Sequence, residues 1–171
     1  EEMAKRWVAD GHFVTLFSGN DGRLPRHEIR DGIHIVRRGG FYLVYVWAFV
    51  YYFTRFRGRY DVIIDCENGI PFFTPLYVKE PVVCLLHHVH RTIFFQYLPK
   101  PFAHLANFLE GTLMPIVYAN VPFVTVSESS REDLLALGLG KAGVSIVHPG
   151  VLLDEFVPSE RKSETPLILY L

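Results

Sequence analysis

The sequence has few cysteines, almost no net charge and no apolar run long enough to cross a bilayer. Its two cysteines, Cys66 and Cys84, sit in separate apolar segments at no metal or redox spacing, which predicts reduced, buried thiols in a cytoplasmic protein rather than a disulfide framework. Seventeen Lys and Arg against eighteen Asp and Glu give a net charge of -1. Without an overall basic field, nucleic acid is not predicted as the main partner.

The most apolar stretch, Phe41 to Phe53, is too short to cross a bilayer alone. As a helix it would span about 20 Å, against a hydrocarbon core of about 30 Å. Arginines flank it on both sides, namely Arg37, Arg38, Arg55, Arg57 and Arg59. Two interpretations remain open: a buried helix with solvated arginines, or a helix lying on a lipid surface with Arg55, Arg57 and Arg59 among anionic headgroups.

The 171 residues are 50% hydrophobic and 15% aromatic, which suffices for one sizeable core. Continuous apolar runs at Asp61–Cys66 and Pro81–Leu86 are typical of strands covered on both faces in a parallel sheet. Further strands are predicted over 12–17, 33–36, 123–126 and 144–147, and helices over 3–8, 71–79, 105–117 and 129–138. This alternation predicts an α/β fold with a mainly parallel sheet.

Polar residues follow three of the predicted strands, at the sheet edge where ligands of open α/β folds bind. They are Glu67 and Asn68 after the first apolar run, His87, His88, His90 and Arg91 after the second, and Ser127 after the strand at 123–126. The sequence therefore predicts a polar ligand site at the carboxyl ends of these strands.

The alternatives at this edge are structural. The spacing His87-His88-Val89-His90 matches no standard zinc site, so no metal is predicted. Glu67 and Asn68 suit either sugar hydroxyls or an amine, or else a helix start before Pro71. Ser127 precedes Ser129-Ser-Arg-Glu132, whose capping-box spacing favours a helix start that could also hold an anion.

No glycine-rich dinucleotide loop, phosphate-binding loop, serine elbow or zinc helix motif occurs in the sequence. From the residues alone, the chain is an α/β ligand-binding domain.

The order of segments resembles the amino-terminal half of the group 1, family four glycosyltransferases of GT-B fold. The resemblance rests on Glu1-Glu-Met-Ala-Lys-Arg-Trp-Val-Ala-Asp-Gly-His12 with Val-Thr-Leu-Phe, on Tyr60-Asp-Val-Ile-Ile-Asp65, and on the strand ending at His87. It continues through Val126-Ser-Glu-Ser-Ser130 with Asp133, Leu134 and Gly138, and through Ile146-Val-His-Pro-Gly-Val151 with Phe156 and Pro158.

The resemblance implies a Rossmann-like acceptor-side domain over 1–157, a linker over 158–165, and over 166–171 the first strand of a second domain that binds the nucleotide sugar. It implies that His87 lies beside the transferred sugar as the catalytic residue. It further implies retention of anomeric configuration, a glycan or lipid-linked acceptor, and no metal or other cofactor, the diphosphate being held by basic side chains and helix amides. The expected location is cytoplasmic, with a peripheral membrane position.

The chain also departs from the family pattern. A central first strand with a glycine-rich turn is expected before the first helix and is missing here, which predicts that residues 1–171 alone are inactive and unstable. The usual Asn-Gly-Val-Asp near position 148 is replaced by His148-Pro-Gly-Val151, so no role is carried over to His148. The alternatives are a non-catalytic ligand-binding domain and a sugar-nucleotide epimerase of the same architecture.

Overall fold

The structure is a computed structural model that describes residues 2–150 and Thr165. The expected linker at 158–165, apart from Thr165, and the expected strand at 166–171 lie outside the described residues. The helices and strands, in chain order, are α1 Glu2–Ala9, β1 Thr15–Ser18, β2 His27–Arg30, β3 Ile33–Arg37, α2 Gly40–Tyr51, β4 Ile63–Glu67, β5 Val82–Leu86, α3 Phe94–Tyr97, α4 Lys100–Phe108, α5 Met114–Val117, β6 Phe123–Thr125, α6 Glu128–Ala136 and β7 Val144–Ile146.

Strands β4, β5, β6 and β7 form a four-stranded parallel sheet in that order. Its core joins the sheet to α5 and α6 through Leu86, Phe123, Met114, Tyr118 and Leu134, each at most 1% exposed. The sheet confirms the predicted α/β, Rossmann-like class. Apolar residues run continuously through β5 because both of its faces are covered.

Strands β1, β3 and β2 form a second sheet, in which β3 pairs with β1 in parallel and with β2 in antiparallel. Helix α1 packs on this sheet through Ala4, against Ile33 and Ile35. The sequence did not predict β2, whose side chains are mostly polar and exposed. The turn Asp31-Gly32 was the available signal, since both residues have positive φ (50° and 77°), as a tight two-residue hairpin requires.

The two sheets are not joined by strand pairing within the described residues, so β1 and β4 each present an open edge. Side chains connect them instead: the Tyr60 hydroxyl, just before β4, donates to Thr15 Oγ1 in β1 at 2.7 Å.

Two predicted helices have a different form in the structure. The helix predicted over 71–79 is only a 3₁₀ turn at Thr74–Leu76, since Phe73 takes a left-handed φ of 53° and Pro75 supplies no backbone donor. The helix predicted over 105–117 starts earlier, as α4, and reaches α5 through a π-helical turn at Leu109–Leu113. The irregularity therefore precedes Pro115.

Helix α2 and the π-helical turn Tyr52–Phe56 that extends it place most of the apolar stretch at the surface. Val44 is buried, whereas Phe41, Tyr42 and Val46 are 72%, 66% and 58% exposed. The interpretation of this stretch as a buried helix is therefore wrong for the side that carries these three residues. Among the residues that the structure describes, no helix is both long enough and apolar enough to span a bilayer.

The two cysteines do not share one environment. Cys84 is buried in β5, as predicted, but Cys66 in β4 is exposed, so the prediction of two buried thiols is wrong for Cys66. Strand β4 is an edge strand, and its alternate side chains are less well covered than those of β5.

Candidate functional site

The carboxyl ends of β4, β5 and β6 lie at one edge of the parallel sheet and are followed by Asn68, His87 and Ser127. Parallel pairing in register places these three strand ends side by side. Asn68 and His87 are exposed and Ser127 is half-buried. The structure thus brings the predicted strand-end residues to a common edge.

His87 presents its imidazole to solvent while its backbone is held in place. The His87 carbonyl accepts a hydrogen bond of 2.7 Å from Ser130 Oγ, which belongs to the first turn of α6. Ser130 is 7% exposed, so this bond is shielded from water. The end of β5 is therefore fixed to the start of α6, and the orientation of the His87 backbone is set by tertiary structure.

Ser127 is the N-cap of α6, two residues before the predicted capping box. Its Oγ accepts from the Ser130 amide at 3.2 Å and donates to Ser130 Oγ at 3.0 Å. The structural interpretation of this segment is confirmed, with the helix start displaced from Ser129 to Ser127.

Glu67 turns away from the surface. It is 1% exposed, and one of its carboxylate oxygens accepts from the Gly69 amide at 2.9 Å. Burial, and secondarily the nearby Glu110 carboxylate, raises the pKa of Glu67 to about 9. The Glu67 carboxylate is therefore not accessible to a sugar in solvent, whereas the neighbouring residue Asn68 is exposed.

Glu110, in the π-helical turn, is a site residue that sequence reasoning missed. It is fully buried, and its two oxygens accept from the His90 and Arg91 amides, each at 2.7 Å. Arg91 has a left-handed φ of 37°, so the carboxylate stabilises a strained turn. A signal was present, because Glu110 continues the buried face marked by Ala103 and Ala106.

Glu67, His90 and Glu110 meet behind this edge, with one ligand atom from each lying within 4.8 Å of the others. The His90 Nδ1 atom is 3.5 Å from Glu110 Oε1. The His88 ring lies beside that of His90, with centroids 4.2 Å apart. Burial, followed by the charges of His90 and His87, lowers the pKa of His88 and favours its neutral form.

A second buried network supports the same strand. Asp65 in β4 is 2% exposed, and its Oδ2 accepts from Thr74 Oγ1 at 2.6 Å and from the Tyr118 hydroxyl at 2.5 Å. Burial raises the pKa of Asp65, partly opposed by these two bonds. The network joins β4 to the 3₁₀ turn and to the segment after α5, and it does not reach the surface.

The flanking arginines lie in a different part of the molecule. Arg55, Arg57 and Arg59 are exposed, and the Arg57 guanidinium lies over the Phe53 ring, 5.6 Å from its centroid. Arg55 and Arg59 also line, with Arg38, a cleft of about 430 Å³ against the three-stranded sheet. Arg57 therefore adjoins an exposed ring of the apolar stretch, whereas Arg55 and Arg59 face the cleft.

Comparison with known proteins supplies the family. A family model described as Glycosyltransferase Family 4 matches residues 1–155. Searches of curated proteins and of solved structures give no significant match.

Proposed function

Because the chain belongs to glycosyltransferase family 4, we propose that it forms the acceptor side of an enzyme that transfers a hexose from a nucleotide-sugar donor to an acceptor hydroxyl, with retention of configuration. The observation that carries the proposal is the exposed His87 at the carboxyl end of β5, flanked by the ends of β4 and β6. This edge is where an open parallel sheet binds its ligand.

His87 is the proposed catalytic residue, beside the sugar that is transferred. An imidazole donates or accepts a hydrogen bond near neutral pH, which suits contact with a sugar hydroxyl. The bond from Ser130 to the His87 carbonyl supports this role, because a fixed backbone keeps the ring oriented.

The remaining strand-end residues divide by exposure. Asn68, His88 and Arg91 are exposed and are proposed to contact the substrate directly. Glu67, His90 and Ser127 are more enclosed, and they are proposed to act by shaping the loops that carry the exposed residues.

The donor is proposed to bind through a second domain, its diphosphate held by basic side chains and helix amides rather than by a metal. Reaction then requires closure of the cleft between the domains. The proposed acceptor is a glycan or a lipid-linked hydroxyl compound.

A lipid-linked acceptor agrees with the surface of α2, which we propose lies on a membrane containing anionic lipids. Phe41, Tyr42 and Val46 offer an exposed apolar face, and Arg55, Arg57 and Arg59, which follow this helix in the chain, offer positive charge. The enzyme would then be peripheral, on the cytoplasmic side.

The test is a hydrolysis and transfer screen of the full-length protein with a panel of nucleotide sugars. His87→Ala is expected to lower kcat by roughly 10²-fold or more with the fold intact, within the range typical of a positioned proton-transfer group. His104→Ala, at an exposed histidine of α4, is the matched control. Unchanged turnover in His87→Ala would remove this residue from the mechanism.

A further inference from the structure

The feature not yet explained is the meeting of Glu67, His90 and Glu110 beneath the strand-end loop. Glu67 is 1% exposed, Glu110 is fully buried, and the His90 side chain is 14% exposed. Within the described part of the chain, Glu67 Oε2 and His90 Nδ1 are buried polar atoms with no hydrogen-bond partner. Buried polar atoms are normally satisfied, so these two atoms require an explanation.

The negative charge of the two buried carboxylates is the first point to explain. Two carboxylates in so small and desolvated a space need a compensating positive charge, which either a proton or a cation can supply. A proton would reside on one carboxyl oxygen and would leave His90 Nδ1 as it is. A divalent cation would balance both carboxylates and would also give the imidazole nitrogen a partner.

We propose that Glu67 Oε2, His90 Nδ1 and a Glu110 oxygen bind a divalent transition-metal cation of the zinc class. Imidazole and carboxylate ligands suit such ions. In a tetrahedral site with bonds of about 2.1 Å, neighbouring ligand atoms lie about 3.4 Å apart. The separation of His90 Nδ1 from Glu110 Oε1 is 3.5 Å, and one ligand atom of Glu67 lies within 4.8 Å of both residues, so an ion would draw the Glu67 carboxylate closer.

Burial restricts the ligand to a single ion. With both carboxylates nearly inaccessible, an organic molecule or a phosphate cannot enter, and the partly exposed His90 marks the path of access. The cation is therefore separate from donor binding. It would connect the end of β4, the loop after β5 and the turn between α4 and α5, and so fix the segment His87–Arg91.

This site cannot be predicted from the spacing of its residues along the chain. His87-His88-Val89-His90 is not a zinc pattern, and the two carboxylates come from positions 67 and 110. That local spacing was one ground for expecting no metal, beside the family resemblance, whereas the three ligands proposed here are brought together by the fold.

The experiment is titration of chelator-treated, full-length protein with Zn²⁺, and in parallel with Mn²⁺, followed by calorimetry and by thermal melting. The expected result for the wild type is one equivalent bound, with a Tm that rises with ion concentration because only the folded state holds the three ligands together. Glu67→Gln is expected to weaken binding by about 100-fold or more, beyond what loss of an outer-shell partner usually costs. Glutamine keeps the acceptor for the Gly69 amide and resembles a protonated glutamate, so the fold is retained.

His88→Gln is the decisive control, because His88 is exposed and its ring lies 4.2 Å from that of His90. It should leave binding unchanged, as should Glu132→Gln on the surface of α6. Loss of binding in His88→Gln, together with retention in Glu67→Gln, would identify adventitious binding by surface histidines and overturn the proposal. Absence of binding to the wild type would also overturn it, leaving a shared proton as the compensating charge. His90→Gln, expected to weaken binding as much as Glu67→Gln, keeps the test decisive if either variant is poorly soluble.

Discussion

The core of the four-stranded sheet and the helix α2 differ in how completely they are covered. In that core, Phe123, Leu134 and Tyr118 are at most 1% exposed, and even the charged Glu67 and Glu110 are enclosed. On α2, by contrast, Phe41 and Leu43 are 72% and 56% exposed. The first region encloses carboxylates as well as apolar side chains, whereas the second presents apolar side chains to solvent.

The difference shows that apolar composition does not decide burial. The strand β5 and the helix α2 are both continuous apolar segments, yet β5 has neighbouring strands on both sides and helices over it. Helix α2 has a single buried residue, Val44, and most of its other apolar side chains are exposed. An exposed patch of this kind marks an interaction surface.

The largest expected effect concerns the open edges of β1 and β4. Residues 1–171 expressed alone are expected to associate through these edges and to give no cooperative melt, because an open strand edge presents unpaired N–H and C=O groups to other chains. Circular dichroism during heating measures this, with the full-length protein as the control. A sharp melt with native sheet content would show that the two sheets hold together without further strands.

Next in size is truncation of the closed core. Leu134→Ala is expected to lower the free energy of unfolding by about 2 to 5 kcal/mol, because it leaves a cavity at a fully buried position. Leu43→Ala, the same substitution on the exposed face of α2, should change it by less than about 1 kcal/mol. Urea denaturation of the full-length variants compares the two, and equal losses would remove the proposed contrast between the regions.

Substitutions in the exposed segment formed by α2 and the arginines that follow it should change membrane binding more than stability. Replacing Arg55, Arg57 and Arg59 by Gln is expected to weaken binding to phosphatidylserine vesicles by about 3 kcal/mol, or roughly 100-fold, at about 1 kcal/mol per charge near the surface. Vesicle co-sedimentation at low salt measures this, with Arg6, Arg23 and Lys141 replaced by Gln as the charge-matched control. Equal binding of both triple variants would contradict a membrane role for this surface.

Removal of a tyrosine hydroxyl should lower the free energy of unfolding more at a buried hydrogen bond than at a partly buried one. Tyr118→Phe removes a donor to the buried Asp65 and is expected to cost about 1 to 3 kcal/mol. Tyr60→Phe removes the partly buried bond to Thr15 and should cost less than about 1 kcal/mol. Urea denaturation measures the free energy of unfolding of both variants. A larger decrease for Tyr60→Phe than for Tyr118→Phe would contradict the expected effect of burial.

The smallest effect is expected at the exposed end of the three-stranded sheet. Hydrogen bonds from Arg37 and then Arg30 lower the pKa of Glu28, so its stabilisation is complete above the ordinary glutamate pKa and is lost as pH falls through the lowered value. Glu28→Gln should therefore unfold at lower urea than the wild type at pH 7, with the difference closing toward pH 3. A difference that persists at pH 3 would assign the effect to packing.

Local pattern was sufficient for much of the fold. The buried strands β4 and β5, the helix α6 and the location of the polar strand ends were all predicted, because hydrophobic period and turn residues act over short distances. The strand β2 and the short 3₁₀ turn at Thr74–Leu76 were not predicted, since each depends on pairing or backbone geometry beyond its own segment.

The residues of the candidate site can also be divided into those that the sequence predicted and those that it did not. Exposed residues such as His87 and Asn68 were found from their position after a strand. Glu110 and the inward turn of Glu67 were not, because burial of a carboxylate depends on which distant segments pack against it.

The order of residues by itself determined the α/β class, the strands of the parallel sheet and the family, since these follow from short-range periodicity and from motifs in sequence. Tertiary structure alone decided that α2 is exposed, that Glu67 faces inward and that His90 meets Glu110. The physical reason is that a side chain's environment is created by groups far away in the chain, and these converge only when the sheet and its helices pack.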